Sequence, residues 1–513
     1  MVRRFSALVL FAATGAILGA CQDDPVFVRL PEPEVQIDEL KQKPAALVDI
    51  LWVVDNSDSM VEEQQLLATN FERFISGLTL CQGTGVDNDL CDFDTRTCRG
   101  SGQPCNPPDY HIGVISTDIT EANQQIDKGQ LRLAGVCVPS SGATPTTQTP
   151  TYCQGSNAEC NDPANPFCDM NQAITFVTPT TPNAPAAFAR IVDVGTAGGG
   201  RESGFTAASI AVGKGYDRDA MMSVAMPSRN QGFLRDDASL FIIFVSDEED
   251  QSFGEPTYYY RTFETLKGPG NEGLVSLSSI VGPPSTDASG TNPGGCSAPQ
   301  FAAPGTRYVA LSMYSRGLSG EFRVCDGTRL TCPADQTCQA PVPNLPGVCV
   351  PSGQCQVDQD CGNFKCGDDI GCVTCENNAC NLKGELFLQL LERNGIFGSI
   401  CDADYGRVLN ALGFEAAGLS RKFELTKFPD CSKGVCCGVE DADGNCDTPE
   451  VPVCVRVNGE VINNNRASGW VYEAGGNAVF FDGTFVPPTD ADIQVSYRIA
   501  PGDEALSCDA ALQ

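Results

Sequence analysis

From residue 46 onward, short apolar runs alternate with longer stretches that have helical spacing. The runs are Leu47–Val54, Ile112–Ser116, Ser239–Ser246, Val275–Val281 and Tyr308–Ser312. In the third, every residue from Leu240 to Val245 is apolar, as a strand covered on both faces requires. Ser59–Leu78 carries Met60, Leu66, Leu67, Phe71, Phe74 and Ile75 at helical spacing, and Glu202–Val212 and Tyr258–Leu266 are shorter helical stretches. Helical patterning returns over 381–413. Buried strands alternating with amphipathic helices predict an α/β fold over residues 46–413, with a doubly wound, mostly parallel sheet. In such sheets ligands sit beyond the carboxyl ends of the strands.

Cysteine-rich stretches at about 81–107, 137–170 and 325–380 interrupt this alternation. The third packs ten cysteines into 56 residues, with Asp, Gly, Pro and Asn between them. Phrases such as Cys332-Pro-Ala-Asp-Gln-Thr-Cys338 and Cys355-Gln-Val-Asp-Gln-Asp-Cys361 suggest one small disulfide-stapled unit used repeatedly. Too few apolar residues lie within these stretches to form cores, so bridges must hold them, and their connectivity is open. Cys372-x-x-Cys375 has redox or zinc spacing, but here a structural disulfide is the expected use. Residues 421–513 form a separate region of alternating short strands: Val451–Val457, Gly469–Glu473, Ala478–Phe481 and Ile493–Tyr497. Asn-Gly, Gly-Gly-Asn, Asp-Gly and Pro-Pro turns separate them, which predicts a small antiparallel β domain. Within it, Asp441-x-Asp443-x-Asn445 resembles half of a calcium loop, but Cys446 replaces the expected glycine and a turn is the simpler reading.

The amino terminus indicates a compartment. Arg3 and Arg4 precede an uncharged, mostly apolar stretch from Phe5 to Ala20, the make-up of a signal peptide over residues 1–20. Leu18-Gly19-Ala20-Cys21 resembles a bacterial lipobox. That resemblance implies a lipid on Cys21, a polar, proline-containing tether over residues 21–45, and a chain anchored to a membrane without spanning it. A cell-envelope location follows, with the outer membrane preferred. Of 27 cysteines, setting Cys21 aside leaves an even number, which in an exported chain implies up to about thirteen disulfides. Thirty-three basic against 65 acidic residues give a net charge of −32. A field of that sign repels nucleic acid and anionic lipid surfaces, so neither is an expected partner, and it favours divalent cations.

The run Leu47–Val54 stops at Asp55-Asn56-Ser57-Asp58-Ser59. One carboxylate and two hydroxyls, two residues apart where a strand ends, offer hard oxygen ligands suited to Mg²⁺ or Ca²⁺. The competing reading is that Ser57 or Asp58 caps the helix that follows. Together with Tyr110 to Asp118 and with Val245-Ser246-Asp247 after the all-apolar run, this stretch resembles the metal-ion-dependent adhesion site of the von Willebrand factor type A family. The resemblance covers roughly 46–315 and 382–413. It implies Asp55, Ser57, Ser59 and Asp247 as ligands of Mg²⁺ (or Ca²⁺ or Mn²⁺), with a threonine from a further loop. Thr196 lies several residues earlier than a simple match would place it. Glu202 and Asp118 are alternative oxygens. The family mechanism implies that an acidic side chain of a protein partner completes the metal's shell.

Catalytic chemistry has little to draw on. With a single histidine, His111, histidine triads, two-histidine zinc sites and histidine acid/base pairs are nearly excluded. There is no Gly-x-Ser-x-Gly elbow and no phosphate-binding loop. The expected class is therefore a non-enzymatic binding or adhesion lipoprotein. The competing readings are a structural or assembly lipoprotein that binds through its β tail or cysteine-rich loops, and a carboxylate-based envelope hydrolase.

Overall fold

The computed structural model describes residues 35–41, 47–79, 91–92, 95, 97–100, 102, 108–119, 128–137, 151–154, 160, 168–198, 201–217, 222–268, 274–286, 294–297, 301–315, 324–327, 330–332, 336–352, 354–356, 361, 373–393, 395–416, 422–438, 446–464, 469–473, 477–481, 487, 491–502 and 508. The signal peptide, Cys21 and the Asp441–Asn445 turn lie outside them. At the centre is a six-stranded sheet built from β1 (Leu47–Val54), β2 (Asp109–Ser116), β3 (Phe176–Val177), β4 (Ser239–Ser246), β5 (Val275–Val281) and β6 (Phe397–Ser399). Its order is β6-β5-β4-β1-β2-β3. Neighbours from β6 to β2 run parallel, and β3 joins antiparallel at the edge.

Side chains of each strand alternate between two apolar layers. Val48, Ile50, Trp52 and Val54 of β1 and Phe241, Ile243 and Val245 of β4 pack on α1 (Val61–Thr79), α2 (Ala184–Val192) and α7 (Gly406–Ala416). Leu51, Val53, Leu240, Ile242 and Phe244 face the other way, against α3 (Gly204–Ala211), α4 (Pro256–Glu264), α5 (Thr306–Ser315) and α6 (Gly384–Arg393). On the first side Trp52 meets Phe74 and Phe188 edge-on at 5.2 and 5.9 Å, and Phe188 stacks on Phe71 at 3.8 Å, contacts that stabilise beyond the area they bury. At the amino ends of the strands the buried Asp49 carboxylate accepts hydrogen bonds from the Arg235 backbone (2.6 Å) and guanidinium (2.8 Å). Lys267 and His111 stand nearby.

The expected doubly wound, mostly parallel class is corrected for this chain. Among the described residues thirteen of seventeen strand pairings are antiparallel, and the four parallel ones are confined to the central sheet. Seven further sheets of two to four strands are antiparallel. The cysteine-rich stretches and the carboxyl-terminal region dominate the strand inventory because short segments tied by disulfides or tight turns pair locally. A second correction concerns Tyr308–Ser312, expected as a strand. It lies inside α5, because an apolar run of that length is equally consistent with a buried helix. A third concerns the tether: Val35–Lys41 is a strand paired antiparallel with Asp492–Arg498 along its whole length.

Ten disulfides join described cysteines. In the third insert Cys325–Cys338 and Cys332–Cys349 interleave, as do Cys355–Cys375 and Cys361–Cys380. Among the described residues these two pairs of bridges share one interleaved pattern. In the second insert Cys153–Cys160 is nested inside Cys137–Cys168, so this stretch is not another copy of that unit. Cys375 is bridged to Cys355, which removes it from redox or zinc use. The carboxyl-terminal region holds a four-stranded sheet ordered Val35–Lys41, Asp492–Arg498, Val453–Val457, Glu460–Ile462. A three-stranded sheet of Lys422–Glu424, Ala478–Phe480 and Val471–Glu473 accompanies it. Trp470, Phe481, Val455, Val495 and Tyr497 form the core of this region.

Candidate metal centre

The parallel register places three strand ends side by side. Val54 pairs with Ser116 on one flank and with Val245 on the other, so Asp55, Thr117 and Ser246-Asp247 leave the sheet together. The Asp55 N–H donates to Val245 O at 2.9 Å, and the Thr117 N–H donates to Val54 O at 3.2 Å. Asp55 is fully buried. Its Oδ1 accepts the Ser57 N–H at 2.8 Å, and its Oδ2 accepts the Ser246 hydroxyl at 2.5 Å.

Ser57 does not cap the following helix through its side chain. Its Oγ lies 3.1 Å from Ser59 Oγ and donates to Asp247 Oδ1 at 3.5 Å. Ser57 is thus not a side-chain cap, and Ser57, Ser59 and Asp247 lie together beside Asp55. Ser59 is exposed while Asp55 and Asp247 are buried, so the cluster opens to solvent on the serine side.

The loop carrying Thr196 packs on this turn. Gln64 Nε2 donates to Asp55 O (3.0 Å) and to Gly195 O (3.1 Å), and the Gly198 N–H donates to Asn56 O at 2.9 Å. A Cβ at Gly198 would stand 2.6 Å from the Asn56 side chain, so only glycine permits this approach. Thr196 is thus carried beside the cluster, and its hydroxyl makes no hydrogen bond among the described residues. Glu202 enters from the segment before α3. It is fully buried, and its Oε2 accepts the Thr117 hydroxyl. Asp118 is buried at the same end of β2.

The electrostatics of the cluster are one-sided. Burial, with the charge of Asp247 adding to it, pushes the Asp55 carboxyl above its ordinary range. Glu202 is pushed up by burial and then by the charge of Asp55. Burial raises Asp247, and Glu63 is raised by burial and by Asp247, Glu62 and Asp55. Among the described residues no lysine or arginine forms an ion pair with any of these four. Glu202 Oε1, Glu63 Oε2 and Asn56 Oδ1 are buried without a hydrogen-bond partner. Carboxylates crowded this way repel one another unless a cation joins them. The donors are all hard oxygens, which fits Mg²⁺, Ca²⁺ or Mn²⁺ and not a thiolate-seeking metal. Close cysteine groups elsewhere, such as Cys325, Cys332 and Cys338, are bound in disulfides.

Ser246 and Thr117 were not singled out from the sequence. Ser246 adjoins Asp247 and could have been found from that adjacency, whereas Thr117 has no signal apart from the fold.

The chain matches no protein-family profile, and no curated protein matches it. Among solved structures it is similar to proximal thread matrix protein 1 from the mussel byssus, at 14% identity over 47% of this chain and 39% of that one, with a TM-score of 0.19. It is also similar to the pilus adhesin RrgA from Streptococcus pneumoniae, at 10% identity over 91% of this chain and 59% of that one, with a TM-score of 0.16. The chain thus spans less than two thirds of either protein, and likenesses at this level carry no argument about fold or function.

Proposed function

We propose that this protein is an envelope-anchored binding lipoprotein that captures a protein partner through a divalent cation. The cation is held by Asp55, Ser57, Ser59 and Asp247 in the manner of the von Willebrand factor type A adhesion site. The observation that carries the reading is the convergence of Ser57 on Asp247 Oδ1, 3.5 Å apart across 190 positions of sequence, in a carboxylate cluster without a basic partner. When bound, the cation supplies a Lewis-acidic position for an oxygen of the partner. The chain's own residues orient that position. Ser246 and the Ser57 N–H hold the Asp55 carboxylate, Gln64 ties the Asp55 turn to the Gly195–Gly198 loop, and Ser59 lies on the open side. An acidic side chain is the expected partner group, and the lipid on Cys21 would display the site at the outer membrane.

Titration of the purified chain with Mg²⁺, followed by capture from envelope extracts with and without chelator, tests this. Saturable Mg²⁺ binding and chelator-sensitive capture, both lost in Asp55→Ala, are expected. Capture that survives both chelation and Asp55→Ala overturns the proposal.

A further inference from the structure

We infer that the loops after β4 and β5 form a docking surface for one kind of occupant, a basic and apolar segment of a partner protein. That segment carries the single carboxylate that meets the ion, so the inference rests on the reading of Asp55, Ser57, Ser59 and Asp247 as a cation site. The observation behind it is where exposed apolar side chains fall. Among the described residues the three most exposed large ones are Phe301 at 69%, Phe253 at 60% and Tyr258 at 53%. All three follow the carboxyl ends of adjacent strands. Phe253 lies between β4 and α4, Tyr258 in the first turn of α4, and Phe301 between β5 and α5. Val61, also exposed, begins α1 two residues after Ser59.

Singly scattered apolar side chains would need no explanation, but the loops that carry these rings are fastened to one another. The Ala303 N–H, two residues after Phe301, donates to Asp247 O at 2.7 Å. At the start of α5 the Arg307 N–H donates to Glu249 Oε1 at 2.9 Å. The Arg307 guanidinium donates to Ser252 O (3.0 Å) and Gly254 O (2.7 Å), the carbonyls on either side of Phe253. The Phe253 carbonyl itself accepts the Tyr259 hydroxyl at 2.9 Å. On the other loop Cys296 and Ala302 exchange backbone hydrogen bonds, and Cys296 is bridged to Cys401. Firmly held backbone beneath rings left in water suits aromatic anchors. Their area is buried only on association, and little chain entropy is lost when it is.

Charge selects the occupant. Residues 247–255 hold five acidic side chains and no basic one, and Asp58 and Glu62 are exposed on either side of Ser59 and Val61. Arg307 is paired with Asp250, which leaves the other acids to set the field. A partner acidic throughout is repelled by such a surface. Apart from the one carboxylate that the ion accepts, its contact face is apolar opposite the rings and basic opposite these acids.

The test pans a library of short random peptides on phage against the full-length protein in Mg²⁺, then measures the selected peptides by fluorescence anisotropy. Enriched sequences are expected to combine apolar and basic residues with one Asp or Glu, and to associate more slowly as salt rises. Affinity should fall at least roughly tenfold in the double variant Phe253→Ser, Phe301→Ser. It should persist in Val461→Ser, which removes an exposed apolar side chain of the carboxyl-terminal region. The double variant should melt with wild type, because exposed rings are removed; a clearly lower melt shows them to be packed and overturns the inference. Peptides that bind the double variant as well as wild type, yet fail on Asp55→Ala, overturn it and leave the cation reading intact. Peptides lost in the double variant but indifferent to chelator and to Asp55→Ala support the surface and overturn the cation reading. An acidic consensus, association that quickens with salt, or no enrichment at all overturns the inference.

Discussion

Ser246 donates a 2.5 Å hydrogen bond to Asp55 Oδ2 across 191 positions of sequence, so the ends of two adjacent parallel strands are joined through side chains as well as through the sheet. The same hydroxyl accepts the Glu248 N–H at 3.0 Å, fixing the start of the loop that carries Asp247. Ser246→Ala removes both links and leaves a buried carboxylate oxygen unsatisfied. A loss of about 1–3 kcal/mol in urea unfolding is expected. Weaker Mg²⁺ binding by titration should accompany it, since the Asp55 carboxylate is no longer oriented. Unchanged affinity in a destabilised variant would mean that Ser246 serves the fold alone.

Cation binding should be visible as stability. A ligand that binds only the folded state at a hundredfold excess over its dissociation constant adds about 2.7 kcal/mol, so wild-type melting should rise on adding Mg²⁺. Asp55→Asn and Asp247→Asn are expected to abolish that rise. In chelator, Asp55→Asn should melt at or above wild type, because burial and the neighbouring Asp247 charge both oppose ionisation of Asp55. Differential scanning fluorimetry with and without chelator reads both outcomes. A cation-induced rise that persists in both variants would place the ion elsewhere.

What was legible in the sequence follows from where physical constraints are local. Ser239–Ser246 could be read as a covered strand because nearly every position faces a helix layer, and Asp55 and Asp247 could be read as a pair because each immediately follows such a strand. Val35–Lys41 could not. Its alternation is inverted, with Ile37 49% exposed and Asp38 buried at 3%, and a buried aspartate held chiefly by the distant Thr426 and Tyr497 has no sufficient local signature. Tyr308–Ser312 was misassigned because its length decides nothing. The rivalry between Thr196 and Glu202 was undecidable from one chain, since both lie on a loop whose path is set by Gln64, Asn56 and Thr117, contacts that sequence order does not reveal. The overall class was misjudged because cysteine spacing shows that bridges exist without showing how many small antiparallel sheets they stabilise.

The amino ends of the strands supply an independent control. Asp49 is fully buried, and Arg235 satisfies it through both its backbone N–H and its guanidinium. Removing the guanidinium leaves the buried Asp49 charge with the backbone N–H at position 235 and Lys267 at 4.0 Å, so Arg235→Ala should destabilise by less than the ~3–5 kcal/mol of a fully broken buried pair. Asp49→Asn combined with Arg235→Ala should recover part of that loss. Mg²⁺ affinity should be unaffected in whatever fraction remains folded, because this cluster lies at the opposite end of β1 from Asp55. Guanidinium unfolding with parallel Mg²⁺ titration measures both, and a loss of affinity would show that the two ends of the strand are coupled.

Asp38 predicts how the carboxyl-terminal sheet responds to acid. Its carboxylate accepts hydrogen bonds from Thr426 Oγ1 (2.5 Å), the Thr426 N–H (2.9 Å), Tyr497 OH (2.8 Å) and Gln36 Nε2 (2.8 Å). Burial alone would raise its pKa, but these donors outweigh burial and hold it below the ordinary 3.8. A carboxyl depressed in the folded state contributes stability that is fully present above its unfolded value and lost as pH falls through its folded value. The Val35–Lys41 strand should therefore stay paired at neutral pH and loosen as acidification passes below 3.8. Asp38→Asn should weaken that pairing at neutral pH and flatten its response to acid. Amide hydrogen exchange across Val35–Lys41 and Asp492–Arg498, followed from neutral to strongly acidic pH, reads this directly. Equal protection in Asp38→Asn and wild type at neutral pH would show that backbone pairing with Asp492–Arg498 suffices to hold the strand.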